Sequence, residues 1–290
     1  MRRLGAVCRQ ERGKKSVHDG RAQIRNFGNP PRFVLATARV LGPVNSKNVI
    51  DAAIPGIGPE FTIAFQPIVD LERREVFAHE ALVRGVRGEG AFEVLGRVEA
   101  RHRFAFHEAC RVRSIEMASM LGMQSRLSLN VMPNDIARPA ECFRTAIRTA
   151  ERVGFPVDRL MFEITEGEPF KDLPELAATF RTFERFGFTS AIDDFGAAYA
   201  GFELLAAFQP DIVKIDMSFV RDIHLSAVQF TIVKGFVATC DELQIKVIAE
   251  GVESRDELDA LRRLGVRLFQ GYLFARPGIA MLPDIAWSAA

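Results

Sequence analysis

Cysteine is scarce in this chain of 290 residues, and long apolar runs are absent from it. The cysteines are isolated, with no CxxC pair and no histidine at the spacing of a metal ligand; they are Cys8, Cys110, Cys142 and Cys240. Their isolation suggests neither a disulfide framework nor a structural zinc site. No run reaches the roughly 18 to 20 apolar residues that a membrane-spanning helix needs. We therefore expect no membrane segment and a cytoplasmic location, where thiols remain reduced.

Charge is distributed unevenly, although the formal net charge is only +1. Residues 1–50 hold eleven Lys or Arg against Glu11 and Asp19, which leaves 27 basic and 35 acidic residues in the remainder. Residues 1–56 also contain Gly and Pro at short intervals, a pattern typical of a solvated linker. We predict a basic linker or the remnant of an upstream region there, without DNA binding, and one barrel-sized domain over residues 57–290.

Six apolar segments each end on an acidic, amide or lysine side chain. They are SLN at Asn130, MFEITE at Glu163, AIDD at Asp193 and Asp194, IVKID at Lys214, VIAE at Glu250 and LFQ at Gln270. Apolar, β-branched runs separated by helical stretches are typical of parallel strands in βα units. In a closed (β/α)₈ barrel the carboxyl ends of the strands meet at one mouth, so these side chains are predicted to form one site.

Two further strand-like runs, FTIAFQPIVD and EVFAHEALVRG, are separated only by LERR and therefore predict an antiparallel hairpin. His79 lies beside Glu80 in the second run, and neighbouring strand residues point to opposite faces, so we interpret His79 as structural. Helices are expected over residues 93–121, 142–153, 172–186, 226–243 and 254–265. A barrel is favoured over an open sheet, because a doubly wound sheet concentrates its site at one switch point.

Carboxylates gathered at one mouth repel one another unless a cation lies between them. Mg²⁺ and Mn²⁺ prefer carboxylate, amide and water oxygens. One such ion could be held by Glu80, Asn130, Glu163 and Asp193. Asp194, at a strand end, could serve a second ion that Asp193 bridges.

Two ions about 4 Å apart suit an in-line displacement at phosphorus, and Lys214 would add a positive charge for a phosphate or a bound water. A glycosidase on the same barrel is the competing hypothesis from the residues alone. It needs two carboxyl groups but no amide ligand, no lysine and no adjacent pair of aspartates, so the sequence favours phosphoryl chemistry.

The segments QPIVD, EALVR, SLNV, FEITE, AIDDFG, VKID, AEGVE and FQGYLFARP resemble, in order and spacing, the motifs of the EAL-domain cyclic di-GMP phosphodiesterases. The resemblance covers about residues 61–283. It implies a modified TIM (β/α)₈ barrel whose first strand runs antiparallel. It also implies hydrolysis of one phosphodiester of cyclic di-GMP to linear pGpG, with Mg²⁺ or Mn²⁺ as cofactor in a two-metal site and with inhibition by Ca²⁺.

The same resemblance implies a role for each matched residue. The first metal would be held by Glu80, Asn130, Glu163 and Asp193, and the second by Asp193 and Asp194 with Glu250 nearby. The residues implied to act in catalysis are Glu250, Lys214, Glu80 and Asp194. Among these, Glu250 would be the general base or would position the water, and Lys214 would contact that water or the scissile phosphate.

Other matched residues are implied to bind the ligand or to support the site. Gln270 would help to hold the water network, while Gln66 and Arg84 would bind cyclic di-GMP, Arg84 through a charge-assisted contact to phosphate. Glu166 would anchor the loop after the DDFG strand. Asp216 shares a strand face with Lys214 and would support it.

One segment departs from the family pattern. After DDFG the family usually continues threonine-glycine-tyrosine-serine-serine, whereas this chain has Ala197, Ala198, Tyr199, Ala200 and Gly201. Alanine adopts positive φ less readily than glycine, so the loop is expected to sit differently. The alternative function is therefore a weak or inactive domain that acts as a cyclic di-GMP receptor or a protein-interaction module. In either case the family implies a homodimer through this loop and the following helix.

Overall fold

The computed structural model describes residues 58–132, 139–165, 173–196 and 201–288. The strands in these ranges are β1 (Phe61–Asp70), β2 (Glu75–Gly85), β3 (Arg126–Val131), β4 (Leu160–Thr165), β5 (Thr189–Phe195), β6 (Ile212–Ile215), β7 (Lys246–Ala249), β8 (Leu268–Phe269) and β9 (Gly278–Ile279). The helices are α1 (Ala91–Gly96), α2 (Arg103–Met120), α3 (Pro139–Val153), α4 (Leu173–Phe186), α5 (Gly201–Ala207), α6 (Met217–Val220), α7 (Ala227–Glu242) and α8 (Arg255–Arg263). The predicted linker over residues 1–56 lies outside the described residues.

The first eight strands close into a barrel in which only β1 runs against its neighbours. β1 pairs antiparallel with β2 and with β8, while each successive pair from β2 to β8 is parallel. The hairpin turns at residues 71–74, where one carboxylate oxygen of Asp70 accepts the backbone N–H groups of Glu72 and Arg73. The predicted modified TIM barrel with an antiparallel first strand is confirmed. The two-residue strand β9 pairs with β1 in addition.

The interior of the barrel contains two layers of side chains, because residues two apart on a strand point to the same side. The lower one, here called the apolar layer, consists of Ile68, Ala78, Met161, Ala191, Ile212, Ile248 and Leu268, each at most 4% exposed. Two residues closer to the mouth on the same strands lies the polar layer: Gln66, Glu80, Glu163, Asp193, Lys214, Glu250 and Gln270. Strand β3 contributes Ser128 to the lower level and Asn130 to the upper one.

Phenylalanines join the outside of the barrel to its helices. Phe162 on β4 stacks on Phe183 of α4, with ring centroids 5.4 Å apart, and Phe143 of α3 packs edge-on against both. Phe162 precedes Glu163, so the alternation of β4 places an aromatic ring in the outer core and a carboxylate in the barrel. This strand therefore stabilises the fold with one face and builds the site with the other.

Most predicted helices are confirmed, but the first is divided. The stretch expected over residues 93–121 forms α1, a short 3₁₀ turn at Ala100–His102, and α2. The division follows Gly96, consistent with the low helix propensity of glycine. α8 has the predicted capping box, in which Ser254 and Glu257 bond to each other's backbone N–H groups. No helix in the described ranges is long and apolar enough to cross a membrane.

His79 has the structural role interpreted from the sequence. Its side chain is 5% exposed, and its Nδ1 lies 2.8 Å from the Ser125 hydroxyl. Burial lowers the pKa of the His79 imidazole from 6.5 to about 4, so the ring is neutral at pH 7.

Candidate active site

The polar layer brings together the side chains predicted from the strand ends. The chain supplies one or two of them from each of eight successive strands or the residue that follows: Gln66, Glu80, Asn130, Glu163, Asp193 with Asp194, Lys214, Glu250 and Gln270. Parallel strands reach the mouth with their carboxyl ends, whereas β1 runs the other way and presents Gln66 from its middle, opposite Glu80. One site is thus assembled from residues spread over about 200 positions of sequence.

The Lys214 ammonium lies at the centre of the site. Its Nζ is 2.7 Å from Glu250, 2.9 Å from Asp193, 3.2 Å from Glu163 and 3.5 Å from Glu80. Burial alone would lower the pKa of Lys214, but the surrounding carboxylates outweigh that effect and hold the pKa well above its usual value. Lys214 therefore stays charged and partly neutralises four acids.

Amide groups hold the Glu80 carboxylate in place. Its Oε2 accepts a 2.7 Å hydrogen bond from Gln270, and its Oε1 accepts a 3.2 Å hydrogen bond from Asn130. Gln270 also donates to Gln66 Oε1 at 3.3 Å, and Gln66 in turn donates to the Ala275 carbonyl. The Glu80 carboxylate is thereby held by Asn130 on one of its oxygens and by Gln270 on the other.

The adjacent aspartates both face the mouth because β5 is irregular at that point. Asp194 has φ +55°, Gly196 has φ +95°, and the β5–β6 register shifts between Ile192 and Phe195. In a regular strand Asp193 and Asp194 would point to opposite faces. The left-handed conformation at Asp194 is costly for an aspartate, and the fold accepts it where both carboxylates serve one site.

Burial and crowding raise the pKa values of several acids. Burial raises the pKa of the fully buried Glu163 to about 8, and the charges of Glu80 and Asp193 add to the increase that Lys214 opposes. Burial also raises the pKa of Glu250 well above its usual value, and it raises that of Asp194 to about 6, with Asp193 contributing. Five carboxylates around one ammonium are under-neutralised, so further positive charge would stabilise their ionised forms.

The donor set fits divalent cations. Carboxylate oxygens of Glu80, Glu163 and Asp193 lie within 4.8 Å of one another, and so do those of Asp193, Asp194 and Glu250. Asp193 belongs to both groups. Glu163 Oε1 is buried and accepts no hydrogen bond from the described residues, so this oxygen is available to a cation. Hard oxygen donors in two groups that share one aspartate match the preferences of Mg²⁺ and Mn²⁺.

The remaining predicted residues lie further out. Arg84 is the last residue but one of β2 and is half-buried, and its guanidinium donates to the Val83 carbonyl at 2.8 Å. Asp216 caps α6 by accepting the Ser218 N–H at 2.9 Å, and its charge contributes to the raised pKa of Asp194. Support of Lys214 by Asp216 stays a prediction. Glu166 and residues 197–200 lie outside the described residues, so the anchoring and loop predictions remain untested.

Sequence reasoning missed Ser128. It is fully buried at the level of the apolar layer, beside Glu80 on β2 and Met161 on β4. Its hydroxyl faces Glu163 without reaching hydrogen-bond geometry and lowers the pKa of that carboxyl against the larger effect of burial. The signal was present in SLN, because a residue two positions before Asn130 must point into the barrel as well.

The fold and the site define a class of protein: a modified TIM barrel with acids, amides and a central lysine gathered at its mouth. A family model described as "EAL domain" matches residues 50–277, which is most of the chain. The chain belongs to the EAL domain family, as the resemblance of its motifs indicated.

Two solved structures illustrate the similarity. The c-di-GMP-bound form of a standalone versatile EAL protein from Vibrio cholerae O395 is 44% identical, with a TM-score of 0.76, and the match covers 79% of this chain and 98% of that one. A manganese/cy-diGMP complex of Klebsiella pneumoniae BlrP1 is 32% identical, with a TM-score of 0.74, and the match covers 81% of this chain and 60% of that one. BlrP1 is also known in a calcium/cy-diGMP complex.

The names of two curated relatives indicate different roles, one regulatory and one enzymatic. The blue light- and temperature-regulated antirepressor BluF of Escherichia coli is 29% identical over 237 residues, which are 81% of this chain and 58% of BluF. The cyclic di-GMP phosphodiesterase NbdA of Pseudomonas aeruginosa is 30% identical over 229 residues, which are 75% of this chain and 29% of NbdA. The chain thus spans little more than half of one relative and less than a third of the other.

Proposed function

We propose that this protein hydrolyses cyclic di-GMP to linear pGpG and so lowers the level of a bacterial second messenger. The observation that carries the proposal is the arrangement of five carboxylates in two groups that share Asp193, beside a buried, charged lysine. Hydrolysis of a phosphodiester needs positive charge around phosphorus and a positioned water, and this arrangement can supply both. A relative named as a cyclic di-GMP phosphodiesterase and relatives that bind this ligand support the choice of substrate.

Mg²⁺ or Mn²⁺ is the proposed cofactor, with two ions and with Ca²⁺ as an inhibitor. Glu80, Asn130, Glu163 and Asp193 would hold the first ion, and Asp193 and Asp194, with Glu250 nearby, would hold the second. When bound, such ions stabilise charge on the phosphate oxygens and make a water more acidic. Complexes of BlrP1 with manganese and with calcium, each containing cy-diGMP, support divalent cations at this type of site.

Side chains of the protein would carry out proton transfer, orientation of the site and binding of the ligand. Glu250 would be the general base or would position the water, and Lys214, 2.7 Å away, would contact that water or the scissile phosphate. Gln270 and Asn130 keep the Glu80 carboxylate in one orientation. Gln66 and Arg84 would bind the ligand, with the Arg84 guanidinium directed to a phosphate.

The test is chromatography of cyclic di-GMP after incubation with purified protein and Mg²⁺ or Mn²⁺. We expect pGpG from the parent, no product with Ca²⁺ or from Glu80→Ala, and parental turnover from Glu75→Ala, because Glu75 is an exposed acid at the far end of the same strand. Arg84→Ala should weaken ligand binding more than it slows the bound reaction. Equal turnover by Glu80→Ala and the parent would refute the metal assignment.

A second candidate function is that of a cyclic di-GMP receptor or protein-interaction module with little or no turnover. The alanines at 197, 198 and 200 favour it, since the family usually has hydroxyls and a glycine there. BluF, named as an antirepressor, shows that a relative can be a regulator. Saturable binding of cyclic di-GMP without pGpG under any metal would select this function.

We further propose a homodimer through the loop after Asp194 and through α5, in the cytoplasm. Phe202 on α5 is 60% exposed and makes edge-on contacts with Phe195 and Phe236, at 6.3 and 6.1 Å between ring centroids. Such a dimer would cover this exposed apolar side chain. Sedimentation of Phe202→Glu should give a monomer where the parent gives a dimer.

A further inference from the structure

The end of the barrel opposite the mouth contains a cavity of about 760 Å³, here called the basal cavity. It is lined by the β1–β2 turn, by Phe77, by the second half of α7 and by the segments that lead into β7 and β8. Cavities of roughly 300 to 1,000 Å³ are typical of sites for small ligands. None of the polar-layer residues lines it.

The floor of the basal cavity is apolar. Phe77, Val237, Val247 and Leu268 all line it and are buried, each at most 8% exposed. Phe77 stands opposite the register shift of β1 and packs against the apolar layer, so its position is fixed from within the barrel. An apolar floor suits an aromatic or other apolar body.

The rim of the basal cavity is basic in a barrel that is otherwise acidic. Arg73 and Arg267 are paired with Asp70 and Glu72 of the turn. Lys234, Lys246 and Arg263 also line the cavity, and no described carboxylate forms an ion pair with any of them. Asp241 lines the cavity as well, so the lining contains three acidic side chains, counting Asp70 and Glu72, against five basic ones.

This local excess is the reverse of the balance over residues 51–290, where acidic side chains outnumber basic ones by 35 to 27. Two of the cations have aromatic neighbours. Lys246 Nζ lies 5.7 Å from the centroid of Phe77, and the Arg263 guanidinium lies 5.9 Å from that of Phe230. In both contacts the charged group itself lies near the aromatic ring, and its N–H groups can still donate to an anion.

We propose that the basal cavity binds a small phosphorylated molecule with an aromatic body, of the size of a nucleoside diphosphate. The apolar floor would contact the planar body, and Lys234, Lys246 and Arg263 would donate charge-assisted hydrogen bonds to the phosphates. The site lies at the base of the strands, so its occupant can bind without entering the mouth. This proposal does not depend on hydrolysis of cyclic di-GMP.

Titration calorimetry of the full chain with ADP, adenosine and pyrophosphate tests the proposal. EDTA is present throughout, so no metal at the acidic mouth can recruit phosphate. We expect saturable ADP binding that is tighter than binding of adenosine or pyrophosphate, because only ADP engages both floor and rim. The affinity should fall as salt is added.

The deciding variant is Lys234→Gln/Arg263→Gln, and its matched control is Arg262→Gln. Arg262 is the adjacent exposed arginine of α8 and does not line the cavity. Each lost charged contact is expected to weaken ADP binding by about tenfold, while the control keeps the parental affinity. The proposal is overturned if the parent shows no saturable ADP binding, or if the double variant binds ADP as tightly as the control.

Discussion

The apolar layer and the polar layer occupy the same strands two residues apart, yet they differ in what holds them together. In the apolar layer, Met161 and Ile248 are fully buried without polar atoms, and packing alone determines their arrangement. In the polar layer, Glu163 and Lys214 are equally buried, and their arrangement depends on charge compensation. Two residues along each strand therefore separate a layer that stabilises the fold from a layer whose buried charges are tolerated only because they compensate one another.

Among the changes considered, removal of the Lys214 charge should destabilise the polar layer most. Lys214→Met keeps most of the volume but leaves four carboxylates without their common partner. Loss of one member of a buried ion pair typically costs about 3–5 kcal/mol. We expect a decrease of that size in the free energy of unfolding, measured by urea denaturation in EDTA at pH 7.

The same variant should recover stability when Mn²⁺ is added, because the ion replaces the lost positive charge. Lys246→Met is the control, since this lysine is exposed and should change stability by about 0.5 kcal/mol or less. A parental unfolding free energy for Lys214→Met would show that the ammonium does not hold the layer together.

Truncation in the apolar layer should lower stability without changing the chemistry of the mouth. Met161→Ala leaves a cavity at a fully buried position and is expected to cost about 2–5 kcal/mol. Met120→Ala, at a 45% exposed position that ends α2, is the matched control. Mn²⁺ affinity, measured by calorimetry, should be that of the parent in both. A large loss of affinity in Met161→Ala would mean that the two layers are not separable.

Lowering the pH should test the outer face of β2, where His79 lies, independently of the apolar and polar layers. The pKa of His79 is about 4 in the folded chain and about 6.5 when unfolded, so the unfolded state binds more protons between these values. Stability is therefore retained above pH 6.5 and lost as the pH falls toward 4, by about 3 kcal/mol. Urea denaturation at several pH values should show that His79→Gln lacks this part of the parental pH dependence. Identical pH profiles would contradict the assignment.

The smallest expected effect is at Ser128, the polar group at the level of the apolar layer. Ser128→Ala removes the hydroxyl that faces Glu163 and should weaken Mn²⁺ binding by about fivefold, which corresponds to about 1 kcal/mol. Folding stability should change little, since alanine suits this level. Ser190→Ala is the opposite control: Ser190 bonds Asp211, so the variant should lose stability and keep its Mn²⁺ affinity. Unchanged affinity in Ser128→Ala would remove this serine from the site.

Much of the polar layer could be predicted because most of its residues lie at or near the end of an apolar run. Glu163 and Lys214 follow apolar residues directly, and barrel topology then brings them together. The apolar layer was not predicted, although Met161 precedes Glu163 by two positions and the strand alternation therefore points both side chains to the same face. The contacts of Lys214 with four carboxylates could not be predicted, because they depend on distances across the ring.

Other features escaped prediction for different physical reasons. The break between α1 and α2 lies within a sequence of good helix formers, and only Gly96 marked it. The conformation of Asp194 arises from a register shift between β5 and β6, which is a property of two strands and not of one segment. Strand β9 has only two residues, which is too few to show the alternation of apolar and polar residues that predicts a strand.

The ring is weakest at β8, the shortest strand of the barrel. β8 contributes only Leu268 and Phe269 to its pairings with β1 and with β7, whereas β1 and β2 pair over ten positions. The β8–β1 pairing closes the ring as a short seam. The hydrogen bonds from Gln270 to Gln66 and from Gln66 to the Ala275 carbonyl span this short seam. Gln66 and Gln270 at the mouth therefore also hold the last barrel strand, β8, to the first, β1. Local opening of the seam would dismantle the site before the rest of the barrel unfolds, so the site should share the hydrogen-exchange rates of the seam and not those of the core.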